Sequence, residues 1–133
     1  MLSVRTRPHT SLRQLTPFAE CTDPELVLID RLMTRIDVPA GRTLTSEGRR
    51  GRESFIILDG KVQVSRQGQV LADLGTGEVL GERAVLKGLP RDATAVTTAP
   101  TSVFVLDPRE LRALCSRFPL VKLHFQSVDG LRG

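Results

Sequence analysis

The sequence predicts a mainly β domain flanked by helices, and three observations carry that prediction. Short runs with period-two hydrophobicity recur between Pro39 and Leu106, separated by glycine-bearing turns at Asp59-Gly60 and Gln67-Gly68. Two Asp-Pro pairs, Asp23-Pro24 and Asp107-Pro108, bracket that region, and each opens a stretch with apolar residues at helical spacing. The chain has 133 residues, 40% of them hydrophobic and 26% charged, which suits one globular core. The expected order is helix, about eight strands, helix, helix, in a small β-sandwich, roll or barrel.

Each element has its own local signal. Residues 1–9 read as a flexible basic tail, and a short helical element follows around Leu12 to Phe18. Asp23 is placed as an N-cap with Pro24 at the first helical position and Glu25 in the first turn. Leu26, Ile29, Leu32 or Met33, and Ile36 then form one buried helical face. Phe55 to Leu58 is a short apolar run, and Asp59-Gly60 is expected to turn it as a hairpin into Lys61–Arg66, which alternates in and out. Gln67-Gly68 turns the chain again into Gln69–Leu74, and two more β-rich runs cover Ala93–Thr98 and Ser102–Leu106. Asp107 with Glu110 three residues later spells a capping box before Leu111, Leu114, Cys115 and Phe118. Pro119 interrupts, and a last helix is expected from Leu120 to Val128, stopped by Gly130.

Composition excludes several classes of function. The net charge is +4, but the basic residues are spread along the chain, with local groups only at Arg5/Arg7/Arg13 and Arg49/Arg50/Arg52. No aromatic residues are interleaved to stack on bases, so these groups read as tail and solvated loop, and no nucleic-acid partner is expected. Cys21 and Cys115 are far apart in apolar contexts and read as small buried hydrophobes, in keeping with a reducing cytoplasm. There is no signal-peptide pattern and no apolar run approaching the roughly 18 residues of a membrane span. The excess of arginine over lysine points to a GC-rich bacterial genome. The histidines, His9 and His124, both fall outside the β region, so a metal-dependent β-roll enzyme is disfavoured. No Ser/His/Asp or Cys/His constellation offers an alternative, and the chain is read as non-catalytic.

The chemically informative stretch is Gly77 to Thr94, GEVLGERAVLKGLPRDAT. A phosphodiester anion needs backbone N–H groups that come close, which Gly81 permits, and a short helical turn near Arg83-Ala84 would aim further N–H groups at it. It also needs a planar bidentate cation, which Arg91 after the rigid Pro90 supplies. A sugar hydroxyl beside the phosphate needs an acceptor, and the Glu82 carboxylate accepts without competing as a donor. These parts match a ribose phosphate.

GERAVLKGLPRDAT resembles the phosphate-binding cassette of cyclic nucleotide-binding domains, the family of the catabolite activator protein, the regulatory subunits of cAMP-dependent kinase and gated channels. Leu80, Gly81, Glu82, Ala84, Val85, Leu86, Pro90, Arg91, Ala93 and Thr94 fall on the pattern without a gap. The upstream ESFIILDGKVQV resembles the family's central hairpin, and the likeness runs from about Leu12 to Val128. It implies a double-stranded β-helix, a jelly-roll-like β-roll, filling residues 10–133, with a regulatory role and cAMP as ligand, cGMP being left open. By the same likeness Glu82 would accept from the ribose 2′-OH, Arg91 would pair with the cyclic phosphate, and the backbone around Arg83, Ala84 and Ala93 would donate to it. Val64, Leu71 and Leu74 would wall the sugar and base, and Phe118, His124 or Phe125 would approach the base. Thr94 would brace the loop.

Two positions depart from the family pattern. Arg83 stands where an aliphatic residue is usual, and Asp92 follows the arginine where Ala, Ser or Thr is usual. A carboxylate about 4 Å from a phosphate repels it by roughly 1 kcal/mol in water. Asp92 must therefore face away, pair with Arg83 or Arg91, or weaken binding. The competing expectation is a degenerate copy of the fold that binds no nucleotide and serves as a protein-interaction module. No helix-turn-helix or catalytic domain is expected, which leaves a stand-alone sensor acting through a partner protein or a weak homodimer, or an excised domain. Arg91→Ala is expected to leave the unliganded fold nearly as stable as before.

Overall fold

A computed structural model describes residues 12–126, apart from the side chains of His124 and Gln126. The predicted basic tail, the Gly130 stop and His9 lie outside the described residues.

After a 3₁₀ turn at Thr16–Phe18 comes helix α1 (Asp23–Arg31). The strands are β1 (Thr34–Val38), β2 (Thr43–Thr45), β3 (Ser54–Asp59), β4 (Val62–Arg66), β5 (Gln69–Leu74), β6 (Val79–Leu80), β7 (Thr94–Thr97) and β8 (Thr101–Leu106). Helix α2 (Glu82–Lys87) sits between β6 and β7, and α3 (Pro108–Arg117) and α4 (Pro119–Gln126) close the described chain. The α1 cap falls one residue before its predicted place. Thr22 is the N-cap and forms a capping box with Glu25, because its hydroxyl reaches the Glu25 N–H while the Glu25 carboxylate reaches back. The Asp107 and Glu110 box forms as expected. Ile36 does not extend the helical face. It lies in β1 opposite Val103, since Thr34, Ile36 and Val38 alternate and pair better as a strand edge.

Two four-stranded antiparallel sheets form the roll, in the orders β1-β8-β3-β6 and β2-β7-β4-β5. The predicted hairpin at Asp59-Gly60 is therefore not one. β3 pairs with β8 and β6, β4 pairs with β5 and β7, and the turn carries the chain from one sheet to the other. Gly60 makes that corner by crossing over Thr101. Its φ is +117°, and a Cβ there would stand 2.7 Å from the Thr101 Cα. Gln67-Gly68 is a true hairpin, with φ of 51° and 81°, as a type I′ turn requires.

The continuous burial of Ser54 to Leu58 reflects a strand covered on both faces. Phe55 and Ile57 point into the roll with Val62, Val64, Leu74, Leu80, Ala93, Ala95 and Val103. Ile56 and Leu58 face the other way, into a second core with Phe104, Leu106 and side chains of α1, α3 and α4. The helices thus cover the outer face of one sheet, and Cys21 and Cys115 are buried among them. Among the described residues no helix is long and apolar enough to cross a membrane.

Candidate functional site

The cassette is positioned by β6. Leu80 pairs with Phe55, so the next residue, Gly81, leaves the sheet beside Glu53 and Ser54. Gly81 has φ +81°, and a Cβ on it would lie 2.6 Å from Arg91 Nη1 and 3.1 Å from the Glu53 carbonyl oxygen. Only glycine lets backbone and guanidinium approach this closely.

Arg91 comes back to the same spot from ten residues further on. Its Nη1 donates to the Gly81 carbonyl at 3.1 Å and its Nη2 to the Glu53 carbonyl at 2.6 Å. The side chain of this arginine is almost wholly enclosed, at 5% exposure. Burial pulls its pKa down from the ordinary guanidinium value, and the charges of Glu53 and Glu82 oppose that shift. The loop before β3 forms the rest of the cradle. Arg91 N–H donates to the Arg49 carbonyl, Gly48 N–H donates to the Arg91 carbonyl, and Gly51 lies flat against the guanidinium. An arginine so enclosed is a structural strut as well as a cation. The expectation that Arg91→Ala would leave the unliganded fold nearly untouched is revised accordingly.

Glu82 is the first residue of α2 and is 3% exposed. Its Oε2 accepts from the Arg83 N–H at 3.2 Å, and a carboxylate at a helix start is favoured by the local dipole. Gly81, Glu82 and Arg91 are therefore brought together by two separate stretches of chain.

Arg83 and Asp92 meet outside this centre. Arg83 Nη1 donates to Asp92 Oδ2 at 3.3 Å, and both groups are partly exposed. Of the three arrangements open to Asp92, pairing with Arg83 is the one observed. Ala84 and Ala93 are buried, and the Ala84 carbonyl accepts from the Leu89 N–H, which ends the helical turn. Val64 and Leu74 line the interior of the roll, whereas Leu71 is 40% exposed. Leu71 falls where the β4–β5 register slips, between the Val64–Ala72 and Ser65–Val70 pairs, and precedes the inward-packed Ala72, so it stays outside the interior. Phe118 and Phe125 are packed among the helices in the second core.

Several participants escaped the sequence reading. Glu53 and Gly51 hold Arg91 through a carbonyl oxygen and an absent side chain, neither of which residue type announces. Arg66 donates from Nε to the Asp92 carbonyl at 2.9 Å. Glu47 accepts from the Thr94 hydroxyl and from the Gln67 N–H, which ties the cassette's end to the β4–β5 turn. Thr94 is the brace expected of it, and only its partner was unforeseen. Among the described residues no cluster of three or more His, Cys, Asp or Glu could hold a metal ion.

The geometry defines a class: a β-roll with a short helical insert that gathers a glycine, a glutamate and an arginine at one point. The family model described as "Cyclic nucleotide-binding domain" matches residues 35–118, and the chain belongs to that family. The family is a regulatory nucleotide-binding one and not a catalytic one. A cyclic nucleotide-gated potassium channel of Mesorhizobium japonicum is 34% identical over 103 residues, 77% of this chain and 28% of the channel. A cGMP-dependent protein kinase of Caenorhabditis briggsae is 27% identical over 107 residues, 80% of this chain and 14% of the kinase. The chain thus spans less than a third of either relative. Among solved structures, the Thermus thermophilus catabolite activator protein is 29% identical with a TM-score of 0.75, covering 84% of this chain and 55% of that one. A cAMP-bound PfPKA-R shares the fold with a TM-score of 0.81 at 23% identity, covering 92% of this chain and 43% of that one.

Proposed function

We propose that the chain binds cAMP at the Gly81, Glu82 and Arg91 centre and acts as a sensor through a partner protein or a second copy of itself, in the cytoplasm, with residues 10–133 as the binding domain. The observation that carries this reading is the convergence of Glu82 and Arg91 under Gly81. A buried guanidinium and a buried carboxylate stand side by side where a phosphate and its neighbouring ribose hydroxyl need opposite partners. Arg91 supplies the fixed fork for the phosphate, and Glu82 is the acceptor for the 2′-OH. The N–H groups around Arg83, Ala84 and Ala93 add donors to the phosphate, and Val64 and Leu74 form the apolar side. The Arg83–Asp92 pair supports the reading, because it directs the Asp92 carboxylate to a cation and away from an incoming anion. That removes the main motive for a degenerate, non-binding module. The cAMP named with one solved neighbour favours adenine, and the cGMP named with the kinase relative makes guanine the competitor to test.

The test is a thermal titration of the full chain with cAMP and, separately, cGMP. Ligand at 100 times its Kd stabilises the folded state by about 2.7 kcal/mol. Because Arg91 also supports the fold, each variant is compared with its own unliganded melting point. Arg91→Lys and Glu82→Gln should each lose most of the ligand-induced shift. A flat response of the unaltered chain to both nucleotides would refute the proposal.

A further inference from the structure

A recess lies along α2 and borders the nucleotide centre at Gly51 and Ala84. It is an open basin of about 210 Å³ with Arg50, Arg52 and Arg112 around it and Ala84, Val85 and Leu89 as apolar lining. No carboxylate lines it. Arg50 is steadied by donating from Nη1 to the Gly88 carbonyl at 2.8 Å. Arg52 and Arg112 are exposed and make no side-chain hydrogen bond or ion pair among the described residues, unlike Arg13 and Arg83, which pair with Asp23 and Asp92. Three like charges are thus gathered around a floor that includes the 41%-exposed Leu89.

We propose that this basin docks an acidic segment of a partner protein, one carrying an aliphatic side chain flanked by carboxylates. Charge complementarity selects the flanks, since arginine forks bind carboxylates with two parallel hydrogen bonds. The apolar floor selects the centre, because a bare inorganic anion would leave Ala84, Val85 and Leu89 unused. A nucleic acid is disfavoured by the lining itself, which has no aromatic side chain for a base to stack on. This inference does not rest on nucleotide binding, since the arginines around the basin are not those of the nucleotide centre.

The experiment is a ¹⁵N–¹H correlation titration of the full chain, without nucleotide and at low salt. The probe is an acetylated, amidated pentapeptide with one leucine flanked on each side by two glutamates. Shifts are expected at Gly51, at Ala84 to Leu89 and at Arg112. Affinity should fall at least tenfold when lysines replace the glutamates, when serine replaces the leucine, or in the Arg52→Glu/Arg112→Glu variant. Both altered arginines are exposed, so the variant's melting point should match the parent's, and Arg112→Ala alone serves as a milder version. Shifts centred elsewhere would overturn the proposal. So would an unchanged affinity in the variants, or equal shifts with inorganic phosphate or a single-stranded oligonucleotide at matched ionic strength.

Discussion

Replacing Gly51 by alanine tests the central geometry without touching any charged group. A Cβ on Gly51 would fall inside contact distance of Nη2, Nε and Cζ of Arg91. Ordinary carbon contacts need about 3.5–4.0 Å, so the guanidinium must retreat by roughly 1.5 Å. A retreat of that size takes the 2.6 Å bond to the Glu53 carbonyl to about 4 Å, past hydrogen-bond range. The 3.1 Å bond to the Gly81 carbonyl has even less slack. Hydrogen bonds to charged groups contribute about 1.5–3 kcal/mol each, and the displaced guanidinium regains part of that from water. The net cost is about 2 kcal/mol, or a fall of roughly 7 °C in melting temperature for a chain of this length. Nucleotide affinity should drop about 10- to 100-fold, because the fork no longer sits where the phosphate arrives. Thermal melts and calorimetric titration read both effects. The decisive control is a double-mutant cycle with Arg91→Ala, which removes the clashing atoms. If Gly51→Ala costs as much in that background as in the parent, the contact is not the cause and the reasoning fails.

Three further outcomes follow from the same coordinates. Arg83→Ala should change stability by less than about 1 kcal/mol, since the pair is exposed, yet weaken nucleotide binding about fivefold by releasing the Asp92 carboxylate. Arg83→Ala/Asp92→Ala should recover the affinity, and a double variant that binds no better than the single one would contradict this. Gly60→Ala should cost about 3 kcal/mol or more in urea unfolding, because the new methyl meets the Thr101 backbone. Gly68→Ala meets nothing and should cost only about 1 kcal/mol of left-handed strain, so equal costs would refute the crossing at Gly60. Burial pushes the Cys21 thiol up, aided by Glu25 and Glu20 against Arg13, and burial pushes the Cys115 thiol up against Lys122. The unfolded chain therefore loses these protons first, and the associated stability is present below the ordinary thiol pKa of about 8.5 and lost as pH rises beyond it. The melting temperature should fall between pH 8 and 10 by less in Cys21→Ala/Cys115→Ala than in the parent, and parallel curves would dismiss the effect.

The helix starts at Thr22 and Asp107 were visible within a residue because capping is a contact between neighbours three positions apart. The Gln67-Gly68 hairpin was visible for the same reason. Asp59-Gly60 misled, since a tight glycine turn looks alike whether the strands pair or part. That choice is made by Thr101, 41 residues away, and by the partners β3 and β4 find in different sheets. Leu71 was assigned to the wall by the family resemblance, but it precedes the inward-packed Ala72 and stands at the bulge, where it is left 40% exposed.

Residue types and their spacing alone determined a mainly β domain with flanking helices, and Glu82 and Arg91 on a glycine-led insert. Both depend on periodicity and on functional groups within a short stretch of chain, while the choice of a β-roll came from the family resemblance. Only the tertiary structure decided that Arg91 is held by Gly51 and the Glu53 carbonyl, that Asp92 turns to Arg83, and that Arg50, Arg52 and Arg112 share one basin. These rest on close approaches between distant segments, where the deciding feature is a backbone oxygen, a missing methyl or a direction in space.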